Sequence, residues 1–379
     1  MDNRRRFLSG VSHLAGLGPL GLLLGGAAAQ TAHARSEEDG VLRVAGGWRL
    51  HEREHQIGSL RLDWQRGKAT IESAHTVASL PHAIVPEPSG GFLAVATRPG
   101  TWLARVDAEG RLSQQLHSAD EGDARSYDGH VIASRDGQWL YTGETDRKSG
   151  AGWVSVRDVR TLRKVAEHCT HGIDPHQILV DEDGMLIVAN GGIPRTPSGA
   201  KRNLEDMHPL LVRMDPRNGA LLGQWELPDP RLSPHHIAWN DPPAGGKRLL
   251  GIGLQAEHDD EDRRREAPVL AVWDGLTLST PTRVLAEGYA GDVAAGPNGG
   301  FVLTAQKANR IVLWQPQQPA ELLTIGQVQN PCGLWPLPDA PGVAIGGGLG
   351  LARWHASQAG RMMRWAAGLN AGNHWAVLA

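Results

Sequence analysis

"PHQILVDEDGMLIVANGGI", residues 175–193, is two short apolar runs with a turn between them. Ile178–Val180 and Leu186–Ala189 are aliphatic, and Asp181-Glu182-Asp183-Gly184 between them has the chemistry of a hairpin turn. "LVRMDPRNG" (211–219) and "LLGQWEL" (221–227) follow, so one segment supplies four strands in succession, a to d. The rest of the chain repeats this unit. "GFLAVATR" (91–98), "QWLYTGE" (138–144), "RLLGIGLQ" (248–255) and "GFVLTAQ" (300–306) are further short strands bounded by Gly, Pro, Asp and Asn. No long stretch carries the 3.6-residue period of an amphipathic helix, so the chain reads as all-β.

The residues ahead of these strands align as "LPHAI", "DGHVI", "DPHQI", "PHHIA", "AGDVA" and "PCGLW". They place His82, His130, His176, His235, Asp292 and Cys332 in one register, at intervals of 48, 46, 59, 57 and 40 residues. That is the period of four-stranded propeller blades with variable loops. "VLRVAGG", "SLRLDW" and "ATIESAHTV" near the N-terminus supply strands b, c and d of a blade that lacks strand a. "GNHWAVLA" (372–379) is a lone strand a with Asn373 in the register and His374 beside it. Joined, they make a seventh blade and leave no open sheet edge. The expected fold is a seven-bladed β-propeller closed by its two ends.

In such a ring the first residue of each strand a sits at one mouth of the central channel. His82, His130, His176, His235 or its neighbour His236, Asp292 and Cys332, with His374 beside Asn373, therefore encircle that mouth. Imidazole, carboxylate and thiol are transition-metal ligands, so iron, copper or zinc is the implied class of ion. Opposite sides of the ring are too far apart to share one ion, and His82, His130 and His176 are the leading set. The doubled "HH" leaves open whether His235 or His236 faces the channel. The alternative is structural: the histidines hydrogen-bond neighbouring blades and brace the channel, with Cys332 a small core residue.

The b–c connections at 51–56, 144–152, 193–209 and 256–268 are expected on the same face, adding His51, His55, His208 and His258 to the rim. Glu144 and Glu257 are candidate acids or bases there, Asn190 in "NGGI" belongs to a candidate anion-binding turn, and Arg195 is a candidate clamp for an anion. "EHCTHGI" (167–173) puts His168, Cys169 and His171 in the d–a connection leading to His176.

The ends and composition set further bounds. "NRRRFLSG" (3–10), an apolar run from Val11 to about Ala29 and "AHA" (32–34) make a twin-arginine export signal over residues 1–34, leaving residues 35–379 as one propeller in the periplasm. A formal net charge of −3 gives no electrostatic case for nucleic acid, and two cysteines are too few for a disulfide framework. A monomer without a membrane span in its mature part is expected.

The order of "RPGTW" (98–102), "YDGHVI" (127–132), "GIDPHQILVDEDGMLIVANGGI" (172–193), "GLQ" (253–255), "GYAGDVA" (288–294), "PCGLW" and "NHW" resembles an uncharacterised family of exported bacterial propellers with a quinoprotein-amine-dehydrogenase-like, YVTN-like fold. The resemblance covers nearly all of the mature chain. It implies iron or other metal handling beside imelysin-like proteins and a dihaem oxidoreductase. Three classes of function stay open: a metal-associated binding protein linked to iron uptake, a docking scaffold, and a metal-dependent oxidoreductase or propeller lyase.

Overall fold

A computed structural model describes residues 40–50, 54–122, 124–281, 286–337 and 342–378. The expected signal at residues 1–34 and His51 lie outside the described residues. The described chain forms seven four-stranded antiparallel sheets. Blade 1 is Pro81–Pro86, Phe92–Ala96, Trp102–Val106 and Leu112–His117, and blade 2 is Arg125–Ala133, Trp139–Asp146, Ala151–Asp158 and Lys164–Ile173. Blade 3 is Pro175–Val180, Leu186–Asn190, Leu210–Met214 and Leu221–Trp225; blade 4 is Leu232–Trp239, Leu250–Ala256, Leu270–Trp273 and Leu278–Ser279. Blade 5 is Ala290–Ala295, Phe301–Ala305, Arg310–Trp314 and Leu322–Gln327; blade 6 is Leu334–Pro336, Gly342–Gly347, Gly350–His355 and Arg361–Arg364. Blade 7 takes its inner strand, Leu369–Leu378, from the end of the chain, and Val41–Leu50, Glu54–Asp63 and Lys68–Val77 from the beginning.

Each inner strand touches the inner strand of the next blade, and Leu369–Leu378 touches both Leu334–Pro336 and Pro81–Pro86, so the ring is closed. The closure is apolar as well as hydrogen-bonded. Trp375 on the last strand stacks on Trp365 of blade 6 at 4.6 Å and on Trp48 of the first strand at 5.8 Å between ring centroids. Trp48 and Trp375 are buried in a cluster with Leu42, Val44, Leu60 and Leu351. Truncating one such tryptophan to alanine costs about 3–5 kcal/mol, because the cavity left behind cannot collapse.

One local expectation is corrected. His168, Cys169 and His171 are not in a connection. They belong to Lys164–Ile173, the outermost strand of blade 2, where Cys169 pairs with Trp153 and His168 with Val154. That strand is the outermost of its blade, so they lie at the rim of the molecule and not at the channel. Within residues 256–268, Glu261–Glu266 forms one short α-helix. The Asp260 carboxylate starts it by accepting from the Arg263 backbone N–H at 2.8 Å.

Candidate functional site

The ring residues are displaced from the ladders that carry them. In blade 1, Pro81 and Ala83 pair with consecutive partners Ala96 and Val95, leaving His82 out of register. Asp128-Gly129-His130 are skipped between Tyr127 and Val131, His176-Gln177 between Pro175 and Ile178, and His235-His236 between Pro234 and Ile237. Gly372-Asn373-His374 form the same kind of interruption opposite Gly47, and Gly291 precedes Asp292 in another. These are β-bulges, which bend a strand and re-aim a side chain. Gly129 permits one of them: its φ is +100°, and a Cβ there would lie 2.7 Å from His82 Cβ.

The bulges bring four imidazoles together. One ring nitrogen from each of His82, His130, His176 and His236 falls in a group whose members are all within 4.8 Å of one another. His176 Nε2 is 3.2 Å from His82 Nε2 and 3.2 Å from His236 Nε2. Two nitrogens that far apart, each ~2.05 Å from a common point, subtend ~103° there, near the tetrahedral angle that imidazole ligands adopt around zinc. The His130 Nε2 atom is buried and has no hydrogen-bond partner among the described residues. A second group, His236, Asp292 and His374, shares one of these rings.

The surroundings keep the rings uncharged. Burial holds His82, His130, His176 and His236 well below the ordinary imidazole range. The positive charge of Arg98 pushes each in the same direction. Arg98 also fixes a tautomer. A guanidinium only donates, so its contact with His176 Nδ1 at 2.6 Å makes that nitrogen an acceptor and leaves the ring proton on Nε2. Arg98 is anchored by Asp174 at 2.6 Å, and Asp174 also takes two bonds from Arg195 at 2.5 and 3.2 Å. Asp174 stands at φ +54°, an uncommon backbone for a non-glycine residue, immediately ahead of the His176 strand. Asp128, two residues before His130, accepts from Thr145 Oγ1 at 2.8 Å; burial pushes its carboxyl up to about 8, so it is protonated at neutral pH. Arg98, Asp128, Thr145, Arg147, Asp174 and Arg195 line a cavity beside the ring.

His236, not His235, takes the ring position. His235 lies over His176 with centroids 4.4 Å apart, and neither of its nitrogens has a hydrogen-bond partner among the described residues. In blade 7 His374 joins the ring, while Asn373 is exposed and uses its carbonyl to accept from Gly333 N. Cys332 stays out of both groups. It is buried between blades 5 and 6, where Gln306 Nε2 approaches its sulfur at 3.0 Å, and burial pushes its thiol up to about 12.

The four rim candidates sit apart from the imidazoles. Glu144 is buried inside blade 2, 2.6 Å from Arg157 and 3.3 Å from Lys164, in an ion network that excludes it from the mouth. Asn190 is fully buried and donates to the Thr170 carbonyl, tying blade 3 to blade 2. Glu257 pairs with Lys201 at 2.6 Å, and Arg195 is engaged by Asp174. Of the remaining rim histidines, His208 is exposed 3.5 Å from Glu226, and His258 bonds Asp229 at 2.8 Å. His55 is in strand Glu54–Asp63 of blade 7. Sequence reading passed over Arg98, Asp128 and Asp174. The signals were present as the Arg of "RPGTW" and as an Asp two residues before a ring histidine in both "DGH" and "DPH".

Solved structures with this architecture share little sequence with the chain. Hydrazine synthase of Kuenenia stuttgartiensis is 13% identical, with 90% of this chain and 99% of that one covered, at a TM-score of 0.55. A Bacteroides fragilis protein described as a 6-phosphogluconolactonase is 13% identical over 91% and 99% of the two chains, at a TM-score of 0.60. Virginiamycin B lyase of Staphylococcus aureus is 11% identical over 75% and 84%, at a TM-score of 0.50. At these identities the likeness is one of fold. No curated protein matches the sequence. Residues 75–378, which hold every member of the ring, match the model of the family described as "Protein of unknown function (DUF1513)", and the chain belongs to that family.

Proposed function

We propose that this protein is a metal-binding propeller, exported to the periplasm, that takes a divalent first-row transition ion at one channel mouth as part of iron or other metal handling. The observation that carries the reading is the convergence of four neutral imidazoles from four separate blades, with one nitrogen of each within 4.8 Å of the other three. Bracing the channel would call for bonds to the neighbouring blade's backbone, and these rings point at one another. Export rests on the twin-arginine pattern of residues 4–34, and the link to iron uptake rests on the sequence resemblance.

His82, His130 and His236 are the ligands with lone pairs ready for an ion. His176 joins them only by surrendering the Nε2 proton that Arg98 imposes, so it is a conditional fourth ligand. Imidazole donors suit iron, copper, nickel and zinc, and the stability order favours copper in open competition. Supply in the compartment, rather than affinity alone, would then select the ion.

The test is elemental analysis of the mature protein after reconstitution with Fe(II), Cu(II) or Zn(II), beside His130→Ala and His236→Ala variants shown to be folded by circular dichroism. At least one bound equivalent in the wild type, reduced in both variants, is the expected result. No bound metal in the wild type under any of the three conditions overturns the reading and leaves the ring as an internal brace.

A further inference from the structure

We infer that the mouth holds a second cation, bound by His236 Nδ1, Asp292 and His374 Nδ1, so that the His236 ring bridges two ions. The inference rests on the metal-binding reading above and extends it to a part of the ring that the first ligand set does not use.

The geometry begins with His236, whose two nitrogens face different groups. Its Nε2 is 3.2 Å from His176 Nε2, inside the four-imidazole cluster. Its Nδ1 is 3.7 Å from Asp292 Oδ1, on the other side of the ring. His374 Nδ1 approaches the same carboxylate, 3.4 Å from Oδ2. Neither spacing is a hydrogen bond. Both suit two ligand atoms on one ion: at ~2.05 Å from a common centre they subtend about 110° and 130°. The three side chains come from the inner strands of blades 4, 5 and 7, and one atom of each lies within 4.8 Å of the other two.

Asp292 is held for this position. Its Oδ1 accepts from the Val293 backbone N–H and its Oδ2 from Leu334 N–H, both at 2.8 Å. Each oxygen keeps an acceptor site beyond these bonds, because a carboxylate offers about four. Entry of the second ion displaces the His236 Nδ1 proton to solvent, and the resulting imidazolate with the Asp292 carboxylate offsets two of the four positive charges that the two ions carry. The ring is thus more than a set of equal positions: one imidazole belongs to two sites.

The experiment loads the full mature chain with Cu(II), removes excess ion, and reads copper equivalents and the electron paramagnetic resonance spectrum together. Wild type is expected to bind two equivalents with a signal depressed by coupling through the shared ring. Asp292→Asn keeps an oxygen that can accept from Leu334 N–H, and His374→Gln keeps a polar side chain of similar reach. Each is expected to drop to one equivalent and to recover the signal of isolated Cu(II). A single equivalent in the wild type overturns the second site and makes Asp292 a carboxylate that merely orients His236. Two equivalents unchanged in both variants overturn it too. No copper in the wild type overturns this inference, and the first reading falls with it only if iron and zinc also fail to bind.

Discussion

Metal-free protein should lose stability as pH falls from 7.5 to 5.5, and the size of the loss follows from the side chains at the mouth. His130, His176, His235 and His236 are buried and held well below the ordinary imidazole range, first by burial and next by the charges around them. Arg98 opposes protonation of all four, with Arg195 and Lys201 acting on His235, while the Asp292 carboxylate faces His236 and His374. In the unfolded chain each imidazole titrates near about 6.5. Below that value the unfolded state takes up protons that the folded state refuses. The stability they contribute is therefore complete above the unfolded value and is lost as pH drops beneath it. Over this range each histidine costs about 1.4 kcal/mol, or about 5 kcal/mol for the four. Partly exposed His82 is left out of the sum. Asp128 acts in the opposite sense. With its carboxyl pushed up to about 8, the folded state holds a proton that the unfolded state has shed, and acidification restores about 2.5 kcal/mol. The net loss is about 3 kcal/mol, a large part of the 5–15 kcal/mol typical of a folded domain. Urea denaturation in the presence of a chelator at pH 7.5, 6.5 and 5.5 measures it, and the slope near pH 5.5 should correspond to uptake of about 2.7 protons on unfolding. Asp128→Asn removes the opposing contribution and should steepen the loss to about 5 kcal/mol. A slope below one proton throughout, or an Asp128→Asn profile identical to wild type, would refute the account of uncharged buried imidazoles.

Other consequences are as direct. Arg157 is fully buried and bonds Glu121, Glu144, Thr142 and the Leu162 carbonyl. Arg157→Leu should cost about 3–5 kcal/mol in urea denaturation, because Glu121 and Glu144 both lose their buried guanidinium partner, and a loss under about 1 kcal/mol would show the network to be dispensable. Gly129→Ala forces a Cβ onto a backbone at φ +100° and against His82. It should destabilise by about 1–3 kcal/mol and weaken ion binding in equilibrium dialysis; unchanged binding would mean that His82 is not positioned by this bulge. His235→Ala should leave the bound metal equivalents unchanged while His236→Ala reduces them, and equal effects of the two would place both rings on the ion.

The propeller was legible because a hairpin turn, a period-two strand and a Pro-His or Gly-His entry recur at blade spacing, and hydrogen bonding requires the orphan strands at the two ends to pair. The register of the ring was legible for His82, His130, His176 and Asp292 for the same reason. It failed where a bulge spans more than one candidate side chain. "PHH" offers two imidazoles, and only the skipped register between Pro234 and Ile237 decides that His236 enters the cluster. "GNHW" misleads similarly, since three residues are passed over before Trp375 resumes the ladder. Glu144 looked like a loop acid because its partner Arg157 lies on the next strand, and burial of an ion pair leaves no mark on local sequence. His168, Cys169 and His171 looked like part of the mouth because they precede His176 closely. They lie on the outermost strand of a four-stranded blade, with two strands between them and the inner one, so nearness in sequence to His176 did not bring them to the axis.

The bulges have a consequence for how such a protein can change. A residue skipped by the ladder contributes no paired backbone position to its sheet, so exchanging its side chain leaves the strand's partners as they were. Blade geometry and mouth chemistry are thereby separately adjustable, like a socket that accepts different bits. The same seven sheets could present carboxylates, amides or apolar groups at positions 82, 130, 176, 236 and 374 without a new fold having to be found.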